Sequence, residues 1–76
     1  MVEDSSILAW LVEAFPEASI DVSGDGRHFN AVVVSERFDG LSRLARHRLV
    51  YRALGDRVGG LIHALSLTTL TPAEVE

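Results

Sequence analysis

The chain has no cysteine and no lysine, and only two prolines, one tryptophan and one tyrosine. Without cysteine there are no disulfides, thiolate metal sites or cysteine nucleophiles, so any metal chemistry rests on His, Asp or Glu, or on ligands lent by a partner. No uncharged apolar run approaches the roughly 20 residues a membrane span needs. The first residues, Met-Val-Glu-Asp, are acidic where an export signal would be basic, and the expected location is the cytoplasm. With 47% hydrophobic residues the chain is too apolar to stay disordered. Its 76 residues are read as one domain, 1–76. A domain of that size buries about 60% of the surface its unfolded chain exposes and keeps a margin of about 3–5 kcal/mol. A deep substrate cavity is excluded by that size, and no enzyme is expected. Ser35, His63 and Asp39 make a triad only on paper, since no G-x-S-x-G elbow supports them.

What charge there is lies unevenly. The formal net charge is −4, yet Met1 to Gly26 holds six acidic residues and no basic one, while Arg37 to Arg57 carries six arginines against Asp39 and Asp56. Exclusive use of arginine fits bidentate recognition of phosphate or carboxylate, but compositional bias is the favoured explanation.

Periodicity divides the chain into elements. Asp4 or Ser5 caps a helix with Ile7, Leu8, Leu11, Val12 and Phe15 on one stripe, stopped by Pro16. Ala18, Ile20 and Val22 alternate with polar residues as a half-buried strand, and Gly24-Asp25-Gly26 turns the chain into a Val-rich strand from His28 to Ser35, giving an antiparallel hairpin. Phe38-Asp39-Gly40 breaks that strand. A second helix from about Ser42 to Leu54 uses Leu44, Leu49, Val50, Ala53 and Leu54 and ends at Gly55. Gly59-Gly60 opens a third strand, Leu61 to Leu67, parallel to the second because a helix joins them. Thr71-Pro72-Ala73-Glu74 has capping-box spacing and starts a last helix of barely a turn. The expected fold is α+β, a small α-β-β-α-β-(α) sandwich with a three-stranded mixed sheet and helices on one face. Phe29, Phe38, Tyr51 and Trp10 read as core, Trp10 partly exposed.

His63 is the odd residue of this pattern, an imidazole among Leu61, Ile62, Ala64, Leu65 and Leu67. A neutral imidazole inside an apolar strand must satisfy one donor and one acceptor, and either a neighbouring hydrogen bond or a metal ion meets that need.

The succession SGDGRHFNAVVVSERFDGLSRLARHRLVYRALG followed by IHALSLTTLTPAE, from about Ile20 to Glu74, resembles the BolA family. The linked pieces are His28-Phe29, Val34-Ser35, Phe38-Asp39-Gly40, Arg46-His47-Arg48-Leu49-Val50-Tyr51, Ile62-His63-Ala64-Leu65 and Thr71-Pro72-Ala73-Glu74. The resemblance implies a type II KH-like fold and an adaptor for monothiol glutaredoxins in iron-sulfur trafficking and iron homeostasis. It implies a bridging [2Fe-2S] cluster shared with glutaredoxin and glutathione, with no cofactor on the chain alone, and His63 matches the family's ligand. Imidazole in place of thiolate is established [2Fe-2S] chemistry. The family draws its second ligand from the loop before His28. Here that loop, Gly24-Asp25-Gly26-Arg27, is short and has no added His or Cys, which leaves His28 as the nearby imidazole, or else as a residue that fixes the strand start. The resemblance also implies a longer segment after Thr71-Pro72 than this sequence carries.

His47, between Arg46 and Arg48, is expected to be a half-exposed contact residue, its neighbours' charge opposing a role as proton acceptor. Arg43, Arg46, His47 and Arg48 form the expected partner or nucleic-acid surface. They would dock a glutaredoxin face or glutathione carboxylates through bidentate forks, or bind nucleic acid weakly as in a transcriptional regulator of the stress response. Gly55-Asp56-Arg57-Val58-Gly59 departs from the G-x-x-G clamp of KH domains and carries an acid, which disfavours the second use. Self-association through a strand edge stays open.

Overall fold

The computed structural model describes residues 2–75. Helix α1, Asp4–Ala14, begins one residue earlier than an Asp4 cap allows and two earlier than a Ser5 cap allows. Glu3 is the capping residue, but its side chain accepts no backbone N–H of the first turn, while Asp4 lies in that turn, where its charge complements the helix dipole. Ile7, Leu11 and Phe15, four residues apart, are fully buried, but Val12 is 48% exposed, since a stripe of five positions is wider than the contact.

Strand β1, Ser19–Gly24, pairs antiparallel with β2, His28–Val34, and β2 pairs parallel with β3, Ala64–Leu70, in the order β1-β2-β3. Phe29, Ala31 and Val33 point from β2 into the core, and Asn30, between them, is exposed, as the two-residue period requires. Gly24 is the last paired residue of β1, opposite Phe29. A Cβ there would collide with the Phe29 ring and lie 2.5 Å from the His28 carbonyl oxygen, so the hairpin closes only on glycine.

After a 3-10 turn, Glu36–Phe38, which buries Phe38 against Phe15 at 5.9 Å between ring centroids, Ser42 caps helix α2, Arg43–Leu54, by accepting the Ala45 N–H at 3.1 Å. Val50 and Leu54 are buried. Leu44, expected in the core, is 60% exposed, since it lies about 120° around the helix from Val50. Tyr51 is also exposed rather than core, and its hydroxyl donates to the Leu65 carbonyl at 3.2 Å.

The third strand differs most from expectation, because it starts at Ala64 and runs to Leu70 instead of spanning 61–67. Residues 55–63 form a closed loop: the N–H of Ile62 donates to Arg57 at 2.8 Å, and that of Gly59, at φ 90°, donates to Ile62 at 2.9 Å. Ile62 is fully buried by this loop, so its apolarity reports core packing rather than strand pairing. Helix α3, Pro72–Val75, follows with the backbone N–H of Thr71 donating to Glu74 Oε1 at 2.7 Å, the return bond of the expected capping box.

α1 packs on β1 and α2, and α2 packs on β3, all on the face of the sheet that carries Phe29, Ala31 and Val33. The opposite face shows exposed Asp21, Ser23, Asn30, Ser66 and Thr68. This is the α+β sandwich with a three-stranded mixed sheet that the pattern implied. Among the described residues no helix is long and apolar enough to cross a membrane.

Candidate functional site

His63 is exposed, and it lies one residue before β3 rather than within it. The chain bends at His63, and the imidazole stands in solvent next to the buried Ile62. The bland reading, a strand imidazole sharing its hydrogen bonds with core neighbours, has no support here: no hydrogen bond joins its side chain to another described residue.

His28 begins β2 and is exposed too. Parallel pairing sets His28 opposite Ala64, and the Ala64 N–H donates to the Arg27 carbonyl at 3.0 Å, so both strands start at the same end of the sheet. Residues 35 positions apart thereby meet: the His28 and His63 rings stand 5.9 Å apart between centroids, nearly perpendicular at 84°. Asp25 organises the turn before them. Its Oδ1 accepts the backbone N–H groups of Arg27 and His28, each at 2.9 Å, and these bonds hold its carboxyl below the usual carboxylate range, that from His28 contributing most. Asp25 Oδ2 lies 4.0 Å from His28 Nδ1, with both side chains open to solvent. The charge is thus fixed beside the imidazole without being bonded to it.

Two imidazoles bonded through nitrogen to one ion at about 2.0–2.1 Å stand roughly 5–6 Å apart between centroids, and the observed pair fits that span. Among the described residues no group of three His, Asp or Glu side chains is placed to hold an ion. The pair therefore suits a shared centre that takes its remaining ligands from elsewhere, and not a closed site on this chain.

The four candidate residues of α2 separate into different environments. Arg43 and Arg48 are exposed and His47 is half-buried. Arg46 is mostly enclosed, its side chain 12% exposed. It donates from Nε to Leu41 at 2.9 Å and from its terminal nitrogens to Thr69 at 3.2 Å and to both Glu74 oxygens at 2.6 and 3.3 Å. This guanidinium is a clamp between α2, β3 and α3, a use that sequence reasoning missed. The capping box marked Glu74 as a bonded carboxylate, but no local pattern names a partner 28 residues away. Ser35, the hydroxyl of the paper triad, is buried and donates to Glu17.

The family of the BolA-like protein matches residues 12–74. The E. coli acid stress protein IbaG is 39% identical over 74 residues, covering 96% of this chain and 88% of its own length. Human BolA-like protein 1 is 53% identical over 51 residues, 67% of this chain, which spans only 37% of that relative's length. A Vibrio cholerae relative, the DNA-binding transcriptional regulator BolA, is 51% identical over 51 residues, 67% of this chain and 48% of its own. The solved structure of a bolA protein homologue from Coxiella burnetii superimposes with a TM-score of 0.89 at 46% identity, covering 99% of this chain and 97% of that one. A small α+β domain with a three-stranded mixed sheet is thus a fold with solved counterparts. The chain belongs to the BolA family.

Proposed function

We propose that this protein is an adaptor that pairs with a monothiol glutaredoxin and contributes imidazole ligands to a [2Fe-2S] cluster shared with glutaredoxin and glutathione, within iron-sulfur trafficking and iron homeostasis. The observation that carries the reading is the exposed pair His28 and His63, 5.9 Å apart on a chain with no thiol. His63, which stands in solvent beside the buried Ile62, is the principal ligand; His28 is the second. The partner supplies the thiolates, and imidazole substitution raises the cluster's potential relative to all-thiolate ligation.

The test is anaerobic reconstitution with a monothiol glutaredoxin and glutathione, read by visible circular dichroism. Wild type is expected to shift the glutaredoxin cluster spectrum, His63→Ala to abolish the shift, and His28→Ala to weaken it. No shift with wild type, together with no heterodimer on size exclusion, overturns the reading. A second reading, weak nucleic-acid binding, draws on the arginines of α2 and on the name of the Vibrio relative. It predicts that Arg43→Glu abolishes DNA affinity while leaving cluster binding intact, whereas the cluster reading has His63→Ala abolish cluster binding and leave any DNA affinity nearly intact.

A further inference from the structure

β3 is an edge strand, bonded to β2 on one side only. Its even residues face β2: the Ala64 N–H donates to Arg27, and the Leu70 carbonyl accepts from Ser35 at 2.9 Å. Its odd residues therefore turn their backbone groups outward. Two of those groups are taken by α2, the Leu65 carbonyl by Tyr51 and the Thr69 carbonyl by Arg46. Between these caps the N–H and C=O of Leu67, flanked by the N–H groups of Leu65 and Thr69, meet no partner among the described residues. A groove of about 310 Å³ runs along this stretch, lined by Arg43 and His47 from α2 and by Leu67, Thr68, Thr69 and Leu70. Thr69 Oγ1 is buried there with no hydrogen-bond partner among the described residues.

We propose that this groove binds an extended acidic peptide segment of a partner protein, which adds as a short strand to the open stretch of β3 and sets a carboxylate against Arg43 and His47. The backbone of such a segment satisfies Leu67, as strand addition does generally. Charge selects the occupant: α2 carries four arginines and a histidine with no carboxylate, and no acidic residue lines the groove. The same charge opposes a second copy, because pairing two β3 edges about Leu67 would bring Arg43 and His47 of one molecule toward those of the other. The arginine fork suits a carboxylate bidentately. Leu67 lies about 10 Å along β3 from Ala64, the residue after His63, at 3.3 Å per residue, so the groove is separate from the histidine pair and its test needs no metal.

The experiment uses the metal-free protein, fluorescein-labelled blocked decapeptides alternating Val with Glu or Val with Lys, and a single-stranded decanucleotide. Binding is read by anisotropy, and hydrogen exchange is followed at the Leu67 and Thr69 amides. The Val-Glu peptide is expected to slow exchange at both amides at least tenfold, Arg43→Glu to weaken its binding about tenfold, and His63→Ala to leave binding unchanged. The proposal is overturned if the Val-Glu peptide gives no protection at Leu67, if the Val-Lys peptide binds equally well, if the nucleotide alone protects these amides, or if protection arises from self-association without peptide.

Discussion

Neighbouring residues with similar local patterns have opposite fates here, and burial separates them. Ile62 and His63 are adjacent, yet the first fills the core and the second stands in solvent, which is what leaves the imidazole accessible. Gly24 works in the same place from the other strand: its missing side chain lets Phe29 close the hairpin and so fixes where His28 begins β2. Gly24→Ala is expected to destabilise the domain by about 1–3 kcal/mol through overpacking against Phe29 and the His28 backbone. A urea midpoint lowered to match, with the His28 imidazole resonances moved, is the expected result. An unchanged midpoint would show that the turn yields without cost.

Among the described α-helices, α3 is the shortest and depends most on one charge. Glu74 bonds Arg46 of α2 and the Thr71 N–H, and these bonds lower its pKa to about 2, Arg46 contributing most. A folded-state pKa below the ordinary 4.5 means that the contribution is complete above about pH 4.5 and is lost as pH falls through 2. The expected outcome is a Glu74 carboxyl titration centred near pH 2 by NMR, with release of α3 over the same range; Glu74→Gln removes that pH dependence. A titration near 4.5 would mean that the clamp does not hold in solution. Arg46 is thereby assigned to holding elements together, which leaves Arg43, Arg48 and Arg52 as the exposed arginines of α2.

Taken whole, the domain has little to spare. Phe15, Phe29 and Phe38 are the largest of its fully enclosed side chains, and removing a core phenylalanine costs about 3–5 kcal/mol, as much as a domain of this size has in total. Phe38→Ala is therefore expected to leave the chain largely unfolded at 25 °C, and Phe38→Leu to remain folded with a lowered melting temperature, both followed by far-ultraviolet circular dichroism. An Ala variant that melts like wild type would place the core elsewhere.

Much of this architecture was legible in the residues alone. The period-two alternation of β1, the valine-rich β2, the Gly-rich hairpin, Ser42 before α2, Gly55 after it and the capping box at Thr71 all act within a few residues of themselves, so local chemistry settles them. The linked motifs, ordered along the chain, identified the family. What sequence alone left undecided depends on pairing between distant segments. The start of β3 shifted three residues because Ile62 is claimed by the core, and an apolar run has no mark that separates packing from pairing. Leu44 and Tyr51 face outward because the sheet lies on only one side of α2. The meeting of His28 and His63, the Arg46–Glu74 clamp and the open stretch of β3 all arise from the parallel register and the seating of α2, which are properties of the assembled sheet and of no single segment.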